Sequence, residues 1–291
     1  MSHKAGFVNI IGKPNIGKST LMNSLVGEKL SIITSKVQTT RHRIMGIVSG
    51  EDFQIVYSDT PGIIKPNYKL QEAMMKYVNT ALIDADIVLL LTEVDEENNF
   101  TEIINNLRKS NIHILVLINK IDLTSQEKVN LLIKKWSKLV DKNDIIPFSA
   151  LKKFNIELIF DKILEYLPES PAYYSKDQLT DKPERFFVTE IIREKILLYY
   201  KKEIPYSVEV AVDTFKEEEK IIRITTFIFV SRESQKAILI GHQGLALKRV
   251  GVEARKDLEA FFGKQIYIQL SVKVNKDWRN NDSNLKRFGY E

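Results

Sequence analysis

Cysteine is absent from the 291 residues, and histidine occurs only four times. Disulfides and thiolate-held zinc are thereby excluded as supports for the fold, and an imidazole metal centre has little material to draw on. The lack of cysteine agrees with a reducing compartment. No apolar run approaches the roughly 20 residues that a bilayer-spanning helix needs, and Met1 to Phe7 holds no apolar signal core. Internal repeats and long low-complexity tracts are also missing. What remains is 44% hydrophobic and 28% charged, the balance of a soluble globular chain, with length for one large domain or two of ordinary size. The net charge of +5 is unevenly spread. From Pro183 onward there are 20 Lys and Arg against 16 Asp and Glu, whereas the first 182 residues are nearly balanced at 23 against 22. The excess in the last third points to an anionic partner there.

Short apolar runs at Phe7–Ile11, Phe53–Tyr57, Ile87–Leu91, Ile112–Ile118 and Ile145–Phe148 read as strands of a sheet covered on both faces. Helical patterns at Thr20–Val26, Lys69–Ile83, Thr101–Lys109 and Gln126–Val140 alternate with them. This order predicts a doubly wound α/β domain over 1–170, with ligands at the carboxyl ends of its strands. Pro171 and Pro183 bracket a polar, tyrosine-containing stretch, 171–183, that reads as a linker. A second module is expected over 184–291, in the order α-β-β-α-α-β. Its helix lies near Glu184–Lys201 and its strands near Ser207–Thr214, Ile221–Val230 and Gln265–Val274. Two helices are expected around Leu245–Phe262.

Gly12-Lys13-Pro14-Asn15-Ile16-Gly17-Lys18-Ser19 fits G-x-x-x-x-G-K-[ST], after a strand and before a helix starting at Ser19. The glycines let successive N–H groups turn toward phosphate oxygens beside a helix N-terminus, and Thr20 continues the site. Lys18 is expected to neutralise the β- and γ-phosphates and Ser19 to ligate Mg²⁺. Asp59-Thr60-Pro61-Gly62 ends a strand, which places Asp59 to hold Mg²⁺ through water and the Gly62 N–H to bond the γ-phosphate. Within Gln38-Thr39-Thr40-Arg41, Thr40 is the expected second hydroxyl on the ion, with Thr39 the alternative. Lys18, Thr40 and Gly62 are the candidate catalytic groups. Asn119-Lys120-Ile121-Asp122 supplies a carboxylate that accepts the N1–H and 2-amino hydrogens of guanine; adenine offers neither. Ser149-Ala150-Leu151 is placed to offer a backbone N–H to the guanine O6. Ile63 stands where Ras-like GTPases carry a water-orienting glutamine, so intrinsic hydrolysis is expected to be slow or the water placed otherwise. Asn15 is either a turn stabiliser or a ligand for a monovalent cation such as K⁺.

Ile240-Gly241-His242-Gln243-Gly244-Leu245 is expected between a strand and a helix, and in a module of this order it matches the RNA-clamping loop of KH domains. Lys248 and Arg249 follow it, with Lys236, Arg255 and Lys256 close in sequence. The whole chain resembles the Era family of bacterial GTPases, a Ras-like domain followed by a type II KH domain. Beyond the motifs above, the resemblance rests on Glu190–Lys195, Pro205–Val208, Gly251–Lys256, Val272–Val274 with Trp278, and Gly289-Tyr290. It implies binding near the 3′ end of small-subunit ribosomal RNA, a role in maturing the 30S particle, and a cytoplasmic location with some peripheral attachment to the inner membrane. The expected form is a monomer. His242-Gln243 departs from the lysine or second glycine that many members carry, which leaves the loop without a phosphate-neutralising charge. Two other readings remain open: an RNA-binding switch with negligible turnover, and a membrane-associated signalling GTPase without RNA.

Overall fold

The structure is a computed structural model describing residues 3–94 and 100–290. It divides into two compact units, one of Met1–Lys65 with Met74–Asp181 and one of Pro66–Ala73 with Lys182–Glu291.

The chain order of the first unit is β1 (Lys4–Ile11), α1 (Lys18–Val26), β2 (Ile44–Ser49), β3 (Phe53–Asp59), α2 (Lys69–Ile83), β4 (Ile87–Glu93), α3 (Thr101–Lys109), β5 (His113–Asn119), α4 (Gln126–Trp136), β6 (Ile145–Pro147) and α5 (Ile156–Tyr166). The first turns of α2 belong to the second unit. The strands form one sheet in the order β2-β3-β1-β4-β5-β6, parallel except for β2 against β3. β4 and β5 are buried almost throughout, as a parallel sheet covered on both faces requires. The carboxyl ends of β1, β3, β5 and β6 therefore emerge on one edge, each followed directly by an expected motif.

Two elements of this unit lie outside the sequence expectations. β2 contains Gly46, a poor strand former, yet a Cβ there would meet Val26 Cγ2 at 2.6 Å and Met22 Cε at 2.9 Å. The close approach of α1 thus explains the weak signal. α5 buries Ile159 and Ile163 and sets the Phe160 ring 5.7 Å from Phe53. The stretch expected as a linker is hydrogen-bonded to this unit as far as Asp181. Tyr173 and Tyr174 donate to Gln54 Oε1 at 2.8 and 2.9 Å, and Ile47 N–H bonds the Leu179 carbonyl at 2.8 Å. Its tyrosines and polar backbone cap the sheet edge, a task that composition alone does not reveal.

The second unit continues with α6 (Glu184–Tyr199), α7 (Ile204–Ser207), β7 (Glu209–Glu217), β8 (Ile221–Val230), α8 (Glu233–Ile240), α9 (Leu245–Phe262), β9 (Gln265–Val274) and α10 (Asp282–Arg287). Its sheet runs β7-β8-β9, with β7 antiparallel and β9 parallel to β8. Ile222, Ile224 and Ile228 on β8 share a core with Ile192 and Ile196 of α6, Leu239 of α8, and Val250, Ala254 and Leu258 of α9. One expectation needs correction: α9 is continuous through Gly251, and the other helix of the pair lies upstream, at 233–240. The segment before Gly241 is therefore a helix and not the strand expected there: along Glu233–Ile240 only Gln235 and Leu239 are buried, the spacing of one helical face. The C-terminus is fastened inside this unit, Trp278 Nε1 donating to the Ser207 carbonyl at 3.0 Å and Tyr290 to Glu209 Oε2 at 2.8 Å. Among the described residues no helix is long and apolar enough to cross a membrane.

Candidate functional site

The loop between β1 and α1 is held by geometry as much as by sequence. Gly17 caps α1 with φ 101°, and a side chain there would run into the Asn119 amide. α1 starts at Lys18, whose buried ammonium donates to the carbonyls of Gly12 at 3.1 Å and Lys13 at 2.8 Å. Gly62 closes against the other side of the loop, where a Cβ would lie 2.6 Å from Pro14 N and 2.7 Å from its Cα. The Ile63 N–H donates to the Gly12 carbonyl at 3.0 Å, and its side chain packs on the apolar core. Thr60 Oγ1 donates to the Ile10 carbonyl at 2.7 Å, fastening Asp59-Thr60-Pro61-Gly62 to β1.

Three oxygen-bearing side chains meet beside this loop. Ser19 Oγ lies 2.6 Å from Asp59 Oδ2 and 2.9 Å from Thr40 Oγ1, and Thr40 Oγ1 lies 3.2 Å from the same carboxylate oxygen. Thr39 instead bonds Thr34 Oγ1 at 2.7 Å and the Lys36 carbonyl at 2.6 Å. The structure therefore brings Thr40, not Thr39, to Ser19 and Asp59. Asp59 is fully buried, and its second oxygen, Oδ1, has no hydrogen-bond partner of normal geometry. Burial raises the Asp59 carboxyl above its usual range, against the opposing pull of the Ser19 hydroxyl, the Lys18 charge and the Ser31 and Thr40 hydroxyls. Among the described residues no group of three His, Asp or Glu side chains could hold a metal. One buried carboxylate with two hydroxyls suits a hard cation that keeps several of its waters, as Mg²⁺ does.

On the next strand ends, Asn119 braces the site. Its Nδ2 donates to the Ile16 carbonyl at 2.8 Å, and its Oδ1 accepts from the N–H of Lys120 at 2.8 Å and of Ala150 at 3.0 Å. Of the backbone N–H groups of Ser149-Ala150-Leu151, one of which is expected to face a guanine O6, that of Ala150 is engaged by Asn119. Lys120 forms an ion pair with Glu93, while Asp122 and Leu151 are exposed. Asn15, with φ 61°, reaches across to the Ser35 carbonyl at 3.0 Å through its Nδ2, so it ties the phosphate loop to a distant segment rather than to its own turn.

A buried network beneath the site went unread in the sequence. Arg43 donates to Ser58 Oγ at 2.9 and 3.0 Å and to Asn9 Oδ1 at 3.1 Å, and pairs with Asp84. Its bond to Ser58 lies one residue from Asp59, and Arg43 itself follows Thr40 by three. Asn9 was the available signal: a polar residue inside the apolar run Phe7–Ile11 requires a buried partner.

In the second unit, Gly241–Gly244 joins two helices, α8 and α9, rather than a strand and a helix. Gly241, Gln243 and Gly244 have φ of 71°, 49° and 78°, and His242 and Gln243 are exposed. Beside the loop lies a groove of about 390 Å³, with Leu247, Val252, Ile268 and Leu270 as apolar lining and Lys248 and Arg255 as its cations. Arg249 turns away and stacks 4.1 Å from the Tyr199 ring centre, and Lys256 pairs with Glu253 at 2.9 Å. Of the expected basic cluster, Lys248 and Arg255 line the groove, and Arg255 lies 3.4 Å from Glu259.

Residues 7–120 match the family profile of 50S ribosome-binding GTPases, and residues 203–279 match the KH domain. GTPase Era of Clostridium kluyveri is 43% identical over 291 residues, covering 99% of each chain. GTPase Era of Caldanaerobacter subterraneus subsp. tengcongensis is 43% identical over 294 residues, covering all of this chain and 99% of the relative. A crystal structure of Era with MgGDPNP and nucleotides 1506–1542 of 16S ribosomal RNA superposes with a TM-score of 0.94 at 37% identity, over 99% of both chains. A variant of Aquifex aeolicus Era bound to GDP and AlF4⁻ gives 0.91 at 36% identity, again over 99% of both. With this likeness running end to end in sequence and in fold, the chain belongs to the Era family of GTPases.

Proposed function

We propose that this Era-family GTPase converts GTP to GDP and phosphate at the Gly12–Ser19 loop and couples that cycle to small-subunit ribosomal RNA held at Gly241–Gly244. The Ser19, Thr40 and Asp59 cluster carries the nucleotide half, because a buried carboxylate with an unbonded oxygen beside two hydroxyls is costly unless a cation is meant to sit there. These three would hold Mg²⁺, which when bound offsets the charge of the phosphates. Lys18 neutralises the β- and γ-phosphates, and the Gly62 N–H bonds the γ-phosphate and reports its loss. Asn119 holds the loop and the Asn119–Asp122 segment in register while the Asp122 carboxylate accepts from guanine. Asn15 is the candidate ligand for K⁺: its Nδ2 is used by Ser35, and its carbonyl oxygen is the donor atom a cation would take.

The RNA half is supported by the loop's turned backbone, the apolar groove beside it and the 16S ribosomal RNA segment bound by the homologous Era. Assistance to 30S assembly as a monomer in the cytoplasm belongs to the same proposal, as does peripheral attachment to the inner membrane, which flotation with anionic vesicles tests. The proposed domain limits are 1–170 and 184–291, with 171–183 between them and bonded to the first unit as far as Asp181. A second reading, a binding switch with negligible turnover, is favoured by one observation: the Ile63 side chain is partly buried against the core and, being apolar, cannot orient water. GTP turnover measured in K⁺ separates the two.

The decisive experiment on the RNA half replaces His242 and Gln243 together by aspartate. At 4 Å and an effective dielectric of about 20, each like-charge pair with a phosphate costs up to about 4 kcal/mol before screening. Binding of an oligonucleotide with the 3′-terminal sequence of small-subunit ribosomal RNA is expected to vanish, with GDP binding and hydrolysis retained. Undiminished RNA binding by the folded variant removes Gly241–Gly244 from the proposal.

A further inference from the structure

The sheet of the second unit has two faces: the core with α6, α8 and α9 uses one, and the other is covered near Phe229, which is buried against Phe288. Along β8 and β9, Ile222, Ile224, Ile228 and Ile266 turn toward the helices, so the alternate residues face the other way. Register sets Arg223 opposite Tyr267, with the guanidinium 5.6 Å from the ring centre. Four residues farther along, Phe227 stands opposite Ser271, and the Lys273 ammonium lies 3.2 Å from the Phe227 ring centre. Lys216 of β7 extends the first of these rows, opposite Arg223. Tyr267 is 50% exposed. The cross-strand rows from Arg223 to Phe227 contain no carboxylate. The acids nearby are Asp213 at a bulge, Glu218, which pairs with Arg223 at 3.1 Å, and Glu209, which is buried and bonded to Tyr290.

Two aromatic rings about 13 Å apart along the strands, each with a cation beside it, make a surface for a flexible polyanion carrying flat groups. Its position narrows the occupant. β9 ends the sheet order, and its inward residues Ile268 and Leu270 line the groove beside Gly244. Tyr267 and Gln269 alternate with them on the opposite side of the same strand. A single strand of RNA seated in the groove reaches the outer face by passing around one strand edge. We propose that this outer face, centred on Tyr267, Phe227, Arg223 and Lys273, is a second contact surface for single-stranded RNA, continuous with the groove. The proposal rests on the RNA-binding reading of Gly241–Gly244.

The test uses the full-length protein and two oligonucleotides, one of about five nucleotides that fills only the groove and one of about twelve that extends beyond it. In Tyr267→Ala with Lys273→Gln, affinity for the short one stays within about twofold, while the long one weakens about tenfold or more. The salt dependence of the long one also flattens by about 0.7 for the lost phosphate contact. Tyr267→Phe keeps a stacking ring and retains the long-oligonucleotide affinity. Equal affinity of wild type and double variant for the long oligonucleotide overturns the surface, as does an equal loss for both lengths, which marks damage to the groove. Loss of binding to anionic phosphatidylglycerol vesicles with RNA binding intact assigns the face to lipid and also overturns it. If wild type binds neither oligonucleotide, the reading of Gly241–Gly244 fails first, and that failure is told apart by the absence of any short-oligonucleotide binding.

Discussion

Asp59→Asn is expected to strengthen the fold without nucleotide while destroying its response to Mg²⁺. Asp59 is fully buried, its Oδ1 lacks a hydrogen-bond partner, and burial outweighs the groups that favour its charge. A carboxyl whose folded pKa is raised takes up a proton more readily folded than unfolded. Its contribution is therefore most favourable below its unfolded pKa of about 3.9 and is lost as pH rises through the folded pKa. The amide removes the buried charge and keeps one oxygen as acceptor for Ser19. Relief of a buried, incompletely bonded polar group is worth about 1–3 kcal/mol, and each kcal/mol moves the melting midpoint about 2–4 °C in a unit of this size. With Mg²⁺ and a non-hydrolysable GTP analogue at about a thousand times its dissociation constant, wild type gains about 4.1 kcal/mol that the variant forgoes. Thermal denaturation in EDTA and in Mg²⁺-analogue, from about pH 4 upward, reads both. The order of stability must cross between the two conditions, and the difference between variant and wild type in EDTA must shrink toward acid pH. A variant that is less stable in EDTA, or a difference independent of pH, refutes the electrostatic reasoning.

The remaining expectations follow from the same site. Asp122→Asn shifts preference from guanine to xanthine nucleotides, with a loss of on the order of 3 kcal/mol or over a hundredfold in GTP affinity; unchanged GTP binding with no XTP binding refutes the base assignment. Thr40→Ala raises the Mg²⁺ concentration needed for hydrolysis about tenfold or more, whereas Thr39→Ala leaves it within about twofold, because only Thr40 meets Ser19 and Asp59. Hydrolysis runs faster in K⁺ than in Na⁺ by about tenfold or more, and Asn15→Ala abolishes the difference; equal wild-type rates at saturating Mg²⁺-GTP would falsify the cation proposal.

The parts of the fold legible in sequence are those whose causes are local. Ile87–Leu91 and Ile112–Ile118 show as apolar runs because both of their faces are covered, and α2, α3 and β8 keep the expected limits. The phosphate loop is legible for a similar reason, since its backbone path dictates glycine at Gly17 whatever lies around it. β2 was hidden because its cause is not local: Gly46 is demanded by Met22 and Val26 of α1, and the pairing partner is fixed only once β3 is in place. The stretch 171–181 was hidden likewise, its tyrosines reading as a linker until Gln54 is seen to accept from two of their N–H groups.

The same distinction orders the site itself. Motif spacing identifies Ser19, Asp59 and Asn119 because each sits at a fixed offset from a strand end. Thr40 lies in an irregular segment with no such offset, and the register between Thr39 and Thr40 is decided by what surrounds it. Thr34 and Lys36 take the first hydroxyl, and Ser19 and Asp59 take the second. What holds that register is remote in sequence: Arg43 joins Asn9 on β1, Ser58 on β3 and Asp84 after α2, next to both Thr40 and Asp59. A buried guanidinium is costly unless its donors are matched, so the network holds together only when all of these elements are in place. The relative placement of the two hydroxyls and the carboxylate is thus a property of the assembled sheet, and this is why the candidate residues could be named one by one from the sequence while their geometry could not.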